Sequence, residues 1–242
     1  MLRIELMGRK KAHSNFKSMI EKVKETTHNY GIKILKVDEI SKQRQDILAM
    51  KCYDVAKAAN FGVTLEDVKN HLFDGNFEIT LLKKESKIQG FAIFDNIEVG
   101  GRKILFLHGI VIHPESQGKG LAKRLIKENA LKNNSEFLAL RTHNPTMYNA
   151  ATSITRNQDY IYPNFTKEIP EEIIKIAKKI KYFKNIDGEI CDKNLIIKNA
   201  YPQDMLQQFL KPKNERAEII NKRFSEDFLG RFDAQGIIVK LR

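Results

Sequence analysis

The chain has 242 residues, of which 42% are hydrophobic, a proportion that supports a folded core and excludes wholesale disorder. Lys and Arg number 42 against 30 acidic residues, and the resulting net charge of +12 favours anionic partners such as nucleotides or nucleic acids. The two cysteines, Cys52 and Cys191, form no CxxC pair and have no metal-ligand spacing, so we expect no disulfide framework, no metal site and a reducing compartment.

The basic residues are spread along the chain, and this spread is also typical of a lysine-rich proteome with lysine on most solvated faces. Aromatic residues do not alternate with basic ones as they do in a nucleic-acid groove. The first residues lack the apolar run of a signal peptide, and no stretch approaches the roughly 18–20 apolar residues that cross a bilayer. We therefore expect a cytoplasmic protein without a membrane partner.

The N-terminal third of the sequence predicts helices around one strand. Residues 1–30 predict an amphipathic helix, and the alternation of apolar and polar residues over 31–37 predicts a strand. Residues 39–60 predict a helical stretch that is broken once. The capping-box spacing of Thr64 and Asp67 begins a further helix.

The middle of the sequence changes to a strand pattern. Residues 77–82, 88–94 and 103–112 predict three strands joined by short polar turns, which is typical of an antiparallel meander. The third strand is apolar on both faces except at His108, so we expect it at the centre of a sheet.

After Pro114 the pattern becomes helical, with one apolar face that includes Leu121, Leu125 and Ile126. The strand predicted at 137–140 completes a strand–helix–strand unit of about 30 residues, and such a unit implies a parallel pair of strands.

The C-terminal third predicts helices and a final strand. Residues 146–155 predict a helix, 159–163 an extended segment and 236–241 the closing strand, whereas 184–235 show no clear pattern. The amphipathic helix predicted at 169–183 is typical of a core-facing helix, with a membrane surface or a partner as the alternative.

The segment between Leu107 and Arg124 contains a motif that indicates a ligand-binding site. A strand ends at Pro114, and Gly118 and Gly120 open a helix whose first backbone amides are exposed. Such amides form an anion site suited to phosphate, and the neighbouring Lys and Arg side chains add mobile positive charge. The alternative is a tight loop before an ordinary helix, with no ligand bound.

Two other phosphate motifs fit this segment less well. A P-loop requires Lys directly after the second glycine, where this chain has Leu121. A dinucleotide fingerprint requires a third glycine at the position of Lys123.

The run Gln117–Ala122 matches the Gln/Arg-x-x-Gly-x-Gly/Ala signature of the GCN5-related N-acetyltransferase (GNAT) superfamily, and Val111–Glu115 resembles that family's fourth strand and turn. The resemblance implies an α/β (α+β) fold, the GNAT-like acyl-CoA N-acyltransferase fold. Its mixed, mostly antiparallel sheet is flanked by helices and splays between residues 103–112 and 136–142, with acetyl-CoA in the gap.

The resemblance also implies three regions of the chain. Residues 31–163 would form the acetyltransferase core. Residues 1–30 would be an N-terminal helical extension, and residues 164–242 a helical extension with a final strand, as in bacterial members with a longer C-terminus. The two additions would cap the acceptor side or form a homodimer.

The same resemblance assigns the cofactor-binding residues. Backbone groups of the third strand would hold the pantetheine arm, and amides of the turn and helix would bind the pyrophosphate. The assigned residues are Ile110, Val111, Ile112, Gln117, Gly118, Lys119, Gly120, Leu121, Ala122, Lys123 and Asn144.

The family commonly carries a tyrosine, the general acid for the leaving thiolate, seven residues after the position of Asn144. Here that position is Ala151. Tyr148 lies one helical turn earlier and either replaces the missing acid or packs on a helix face.

Acetyl transfer to a primary amine, whether of a small molecule or a protein, would proceed by direct attack in a ternary complex. A strand amide near Ile110 or Val111 would polarise the thioester carbonyl. His108 is the candidate base, since burial would keep it neutral; a core histidine bonded to a backbone carbonyl is the alternative. His143 is a second candidate base, whereas His113 and Glu115 are expected in the turn or on the surface.

Two other functions stay open. The absence of tyrosine at position 151 favours a catalytically silent acyl-CoA-binding module. The net charge favours an acetyltransferase associated with tRNA, with nucleic acid as a partner. The acceptor and the length of the acyl chain have no signature in the sequence.

Overall fold

The computed structural model describes residues 29–59, 62–155, 158–164, 167–180, 183, 190–200, 220, 222, 224 and 233–241. The predicted N-terminal helix therefore lies outside the described residues, as does most of 184–235.

One mixed sheet organises the described part of the chain. Its strands are β1 (Tyr30–Lys36), β2 (Glu78–Lys84), β3 (Lys87–Val99), β4 (Arg102–Ile112), β5 (Phe137–Thr142), β6 (Ile161–Tyr162), β7 (Ile196–Ile197) and β8 (Ala234–Lys240). The order across the sheet is β1-β2-β3-β4-β5-β8-β6, and β7 also pairs with β8. Among these pairs β4 and β5 run parallel and the others antiparallel, so the predicted fold class and meander are confirmed.

Five helices flank the described sheet. They are α1 (Lys42–Ala58), α2 (Leu65–Phe73), α3 (Leu121–Lys132), α4 (Pro145–Thr152) and α5 (Glu171–Lys179). Helices α3 and α4 cover one face of the sheet. On the other face, α1 and α2 cover the half that contains β2 and β3, and α5 covers the half that contains β5 and β8.

Three local predictions were wrong. Helix α1 runs unbroken over 17 residues, and its buried side chains form a continuous face against β2 and β3. Strand β3 extends to Val99 because it pairs with β4 as far as Arg102, which leaves Gly100 and Gly101 for the turn. The segment 159–163 forms a short 3-10 turn before the two residues of β6.

Helix α5 is shorter than its predicted range of 169–183, because Pro170 caps its start and Ile180 turns to an extended conformation. Its side chains Ile173, Ile176 and Ala177 are buried against the sheet, so the core-facing interpretation is confirmed.

The closing strand β8 lies inside the sheet. It pairs with β5 from Phe137 to Thr142 on one edge and with β6 and β7 on the other, and its first six residues are buried. Domain limits at 31–163 and 164–242 stay a prediction. Within the described ranges, none of the helices is long and apolar enough to cross a lipid bilayer.

The register of β4 opens a gap in the sheet. Strand β4 pairs with β5 through four residues, from Ile104 to Leu107, and then continues to Ile112 without β5 beside it. On its other edge, Gly109 pairs with Ile93 and Leu107 with Phe94, so His108 is the extra residue of a β-bulge. Because a bulge bends and twists its strand, the bend lies where β4 and β5 separate.

Candidate active site

The turn after β4 begins the helix that lies beside this gap. A 3-10 turn at Pro114–Ser116 leads to Gly118 and Gly120, whose φ angles are +73° and +71°. These left-handed conformations disfavour residues with a side chain, and a Cβ atom at either glycine would meet no atom within 4 Å. The glycines therefore serve the backbone path and leave open space in front of it.

The start of α3 presents several backbone amides to that space. Among the described residues, the amides of 118–122 donate no hydrogen bond, because the helix's first repeating bond runs from Arg124 N to Gly120 O. Adjacent amides at a helix N-terminus carry partial positive charge and bind phosphate oxygens. Of the described residues, these amides are the best suited to hold a pyrophosphate.

Side chains hold this turn from behind. The Tyr30 hydroxyl lies 3.0 Å from Ser116 Oγ, and Ser116 Oγ donates to Gln89 Oε1 at 2.9 Å. Lys119 Nζ donates to the carbonyl of Glu115 at 2.6 Å and lies 3.5 Å from the Tyr30 hydroxyl. These contacts involve carbonyls and hydroxyls, so they leave the amides of the turn available.

The positive charge around the turn is held in place, which differs from the mobile charge that the sequence predicted. Besides Lys119, Arg124 is fixed, because its guanidinium donates to the carbonyl of Tyr30 at 3.0 Å. Desolvation alone would raise the pKa of Tyr30, but the hydrogen bonds with Ser116 and Lys119 and the nearby charges of Lys119 and Lys84 outweigh it. The pKa of Tyr30 is therefore lowered.

The backbone predicted to hold pantetheine lies along the gap. Ile110, Val111 and Ile112 pair with β3 on one edge, and their other edge faces the space that β5 has left. The carbonyl of Ile112 already accepts a hydrogen bond from Gln117 Nε2 at 2.9 Å. Gln117 thus positions the turn against the end of β4.

His108 lies at the bulge, between two aromatic rings. Its ring centroid is 4.5 Å from that of Phe77 and 4.9 Å from that of Phe106. Its Nε2 atom is buried. The structure thus places His108 beside the gap, where its Nε2 atom lies within an aromatic environment.

His71 on α2 was not identified from the sequence. A Cβ atom on Gly109 would lie 2.9 Å from Nε2 of His71, so this ring stands directly against β4 next to the bulge. His71 is solvent-exposed as a residue, and desolvation by the protein around it and the charge of Arg141 lower its pKa. The available signal was helical spacing, since His71 follows the buried Val68 by three residues.

The residues at the end of β5 have structural contacts. Tyr148 is 4% exposed, packs edge-to-face on Phe224 and donates its hydroxyl to the carbonyl of Pro163 at 2.7 Å. Asn144 caps α4 by accepting a hydrogen bond from Thr146 N. Ala151, which stands where the resemblance places a tyrosine, is buried in the core on the same helix.

Two further histidines within the described ranges have contacts outside the bulge. His143 Nδ1 is 3.0 Å from the carbonyl of Asp233, and His113 Nδ1 is 4.0 Å from the Glu115 carboxylate in the turn. Cys52 is buried in α1, where desolvation raises the pKa of its thiol to about 12. In the described part of the chain, no three potential metal ligands cluster.

Comparison with known proteins gives a family for part of the chain. Residues 48–148 match the model of the acetyltransferase (GNAT) family, and this segment includes β4, the glycine turn and α3. No curated protein matches the chain significantly.

Solved structures with a similar chain path include three acetyltransferases. The ribosomal-protein-S18-alanine N-acetyltransferase of Escherichia coli is 15% identical, with a TM-score of 0.46 over 87% of this chain and 94% of that one. A GNAT family acetyltransferase of Staphylococcus aureus is 19% identical, with a TM-score of 0.34 over 43% of this chain and 78% of that one. An aminoglycoside acetyltransferase from an uncultured soil metagenomic sample is 14% identical, with a TM-score of 0.41 over 59% and 93% of the two chains.

These scores are all below 0.5, so the assignment rests on the family model and on the order of strands and helices. Residues 48–148 therefore match the acetyltransferase (GNAT) family, and the resemblance predicted from the sequence is confirmed.

Proposed function

We propose that the chain transfers an acetyl group from acetyl-CoA to a primary amine of a small molecule or a protein. The observation that carries this proposal is the set of amides at 118–122, which face open space at the N-terminus of α3 beside the gap between β4 and β5. The pyrophosphate of acetyl-CoA would bind there, because backbone amides and helix-end charge favour a multiply charged anion.

The gap would hold the rest of the cosubstrate. Pantetheine carries amide groups that can pair with the edge of β4 that β5 leaves open at 108–112. A strand amide at Ile110 or Val111 would polarise the thioester carbonyl, as a hydrogen-bond donor does in an oxyanion hole.

The raised pKa of Cys52 favours direct attack of the amine on the thioester over an acyl-enzyme at this thiol. With a pKa of about 12, this buried thiol is almost entirely protonated at neutral pH and a poor nucleophile. An acyl-enzyme on this residue is therefore disfavoured.

His108 as the base and Tyr148 as the acid remain proposals. His108 stands at the bulge beside the gap, which supports its candidacy as a base, but its Nε2 atom is buried. Tyr148 would have to release the carbonyl of Pro163 before its hydroxyl could protonate a thiolate. Asn144 is similarly engaged in capping α4.

The two terminal regions are proposed as additions to a core at 31–163. The position of β8 supports a role of residues 164–242 in completing the sheet next to β5. Acceptor specificity would then depend on segments outside the core, since loops and terminal elements vary most within one fold.

The experiment compares two glycine variants by calorimetry with acetyl-CoA. In Gly120→Ala, the left-handed φ costs about 1–2 kcal/mol and displaces the amides, so we expect at least tenfold weaker binding. Gly100→Ala is the matched control: its φ of +59° and its open surroundings are similar, but it lies in the β3–β4 turn at the other end of β4.

Equal affinity of the wild type and Gly120→Ala for acetyl-CoA would contradict binding of the pyrophosphate by the amides of 118–122. The proposed enzyme activity would then lose its support. A second assay measures thiol release with polyamines, amino acids, aminoglycosides and peptides as acceptors. Tight binding of acetyl-CoA without turnover on any amine would favour the catalytically silent binding module.

A further inference from the structure

Gly109 is the point at which α2 approaches the gap. Any side chain at this position would collide with His71, because a Cβ atom would lie 2.9 Å from Nε2 and 3.6 Å from Cδ2 of the imidazole. Gly109 directly follows the bulge residue and directly precedes the amides proposed to polarise the thioester. The imidazole of His71 therefore lies against a residue that is one or two positions from Ile110 and Val111, the proposed reaction centre.

The two imidazoles near the bulge differ in access. His108 Nε2 is buried in an aromatic environment. His71 is exposed to solvent. A base must both contact an incoming amine and return its proton to solvent, and the exposure of His71 suits it to the second of these needs.

Arg141 supplies the charge that acts on His71. In the parallel register of β4 and β5, Leu140 pairs with Leu107, so Arg141 is the first residue of β5 beyond the separation of the strands. The charge of Arg141 on β5 thus acts on His71 of α2. Desolvation and this positive charge lower the pKa of His71 below its usual 6.5, which favours the neutral imidazole at pH 7.

We propose that His71 is a catalytic residue that accepts the proton of the acceptor amine in acetyl transfer. This inference rests on the proposed function, and it assigns to His71 on α2 the role of base for which the sequence suggested His108 on β4. The observations that carry it are the close approach of His71 Nε2 to Gly109, the gap beyond Leu107 and the exposure of His71 to solvent.

The proton balance of the reaction defines what His71 does. An alkylammonium acceptor loses two protons in total, one before or during attack and one from the nitrogen after the new carbon–nitrogen bond has formed. His71 accepts one and returns it to solvent. The other protonates the thiolate that leaves when the carbon–sulfur bond breaks, so that the products are an amide, a thiol and one released proton.

The test compares His71→Gln with the wild type across pH, using thiol release with whichever amine of the panel reacts fastest. The wild-type kcat/KM should fall as pH drops through the pKa of His71, because the imidazolium cannot accept a proton. In His71→Gln we expect about 100-fold lower kcat and the loss of this acidic limb, with an unchanged calorimetric Kd for acetyl-CoA. A variant that retains the acidic limb and at least a third of the wild-type kcat overturns the role of His71.

A rescue experiment separates chemistry from structure. Added imidazole should restore a substantial part of the activity of His71→Ala, which a purely structural loss would not allow. Asn70→Gln, an exposed neighbour on the same helix, is the control and should retain wild-type activity. A wild type that binds acetyl-CoA but acetylates no amine overturns the proposed function itself, whereas an active His71→Gln overturns the present inference alone.

Discussion

Tyr30 connects the first strand of the sheet with the glycine turn. Its hydroxyl contacts Ser116 and lies near Lys119, so it restrains the segment from which the amides of α3 project. A neutral hydrogen bond contributes about 1 kcal/mol net, and its loss should loosen the turn. We expect Tyr30→Phe to bind acetyl-CoA about three- to tenfold more weakly in calorimetry.

The control for this change is Tyr53→Phe on α1, which packs on the opposite face of the sheet. It should leave the affinity for acetyl-CoA unchanged. Equal affinities in Tyr30→Phe and the wild type would show that the turn keeps its shape without the Tyr30 hydroxyl.

Tyr148 offers a test of two roles at one hydroxyl. Its hydrogen bond to the carbonyl of Pro163 is buried, so Tyr148→Phe should lower the free energy of unfolding by about 1–2 kcal/mol in urea titrations. A general acid would add a second effect, a fall in kcat without a change in acetyl-CoA affinity. From the packing of Tyr148 we expect the loss of stability, with kcat within threefold of the wild type. A larger fall in kcat would support Tyr148 as the general acid.

Among the helices, α2 depends most visibly on its cap. Thr64 Oγ1 accepts a hydrogen bond from Asp67 N, and Asp67 accepts hydrogen bonds from the amide and the hydroxyl of Thr64. A nine-residue helix has little stability of its own, so the cap helps to hold His71 against Gly109. Thr64→Ala should destabilise the protein by about 1 kcal/mol.

This effect should depend on pH. Hydrogen bonds with the side chain and the backbone of Thr64 lower the pKa of Asp67, so their stabilisation is present above the ordinary carboxyl pKa of 3.8 and is lost as pH falls through the lowered value. The stability difference between Thr64→Ala and the wild type should therefore narrow below pH 4 in thermal melts. A difference that is constant from pH 7 to pH 3 would contradict the capping box as its origin.

The whole sheet depends on a strand from the end of the chain. Strand β8 covers the edge of β5, and Ile237, Ile238 and Val239 are fully buried on its two faces. Each such side chain contributes about 1.5–3 kcal/mol by burial, and the strand also pairs the backbone of β5. The loss of free energy of unfolding on removing β8 should therefore be comparable with the roughly 5–15 kcal/mol that stabilises a typical domain.

Truncation after Asp233 should therefore abolish cooperative thermal unfolding and leave aggregated material in size-exclusion chromatography. The control lacks Arg242 alone and keeps β8 whole. A truncated chain that melts cooperatively near the wild-type temperature would show that residues 31–163 fold without the final strand, as an independent core would.

Local patterns in the amino-acid sequence were enough to predict most of the architecture. The alternation around Phe77–Ile112 predicted the meander, and the glycines at 118 and 120 predicted the turn, because strand period and left-handed backbone depend on neighbouring residues. The family signature lies within the same short segment, so it could be identified without any tertiary contact.

Contacts between distant residues could not be predicted in this way. The approach of His71 to Gly109, the hydrogen bond from Tyr148 to Pro163 and the insertion of β8 beside β5 join positions 15 to about 100 residues apart. No local period encodes such pairs, because they form only when the sheet packs against its helices and each strand finds its neighbour. The amides of 118–122 could thus be predicted from the sequence alone. The groups that face one another across the gap are brought together only in the folded protein.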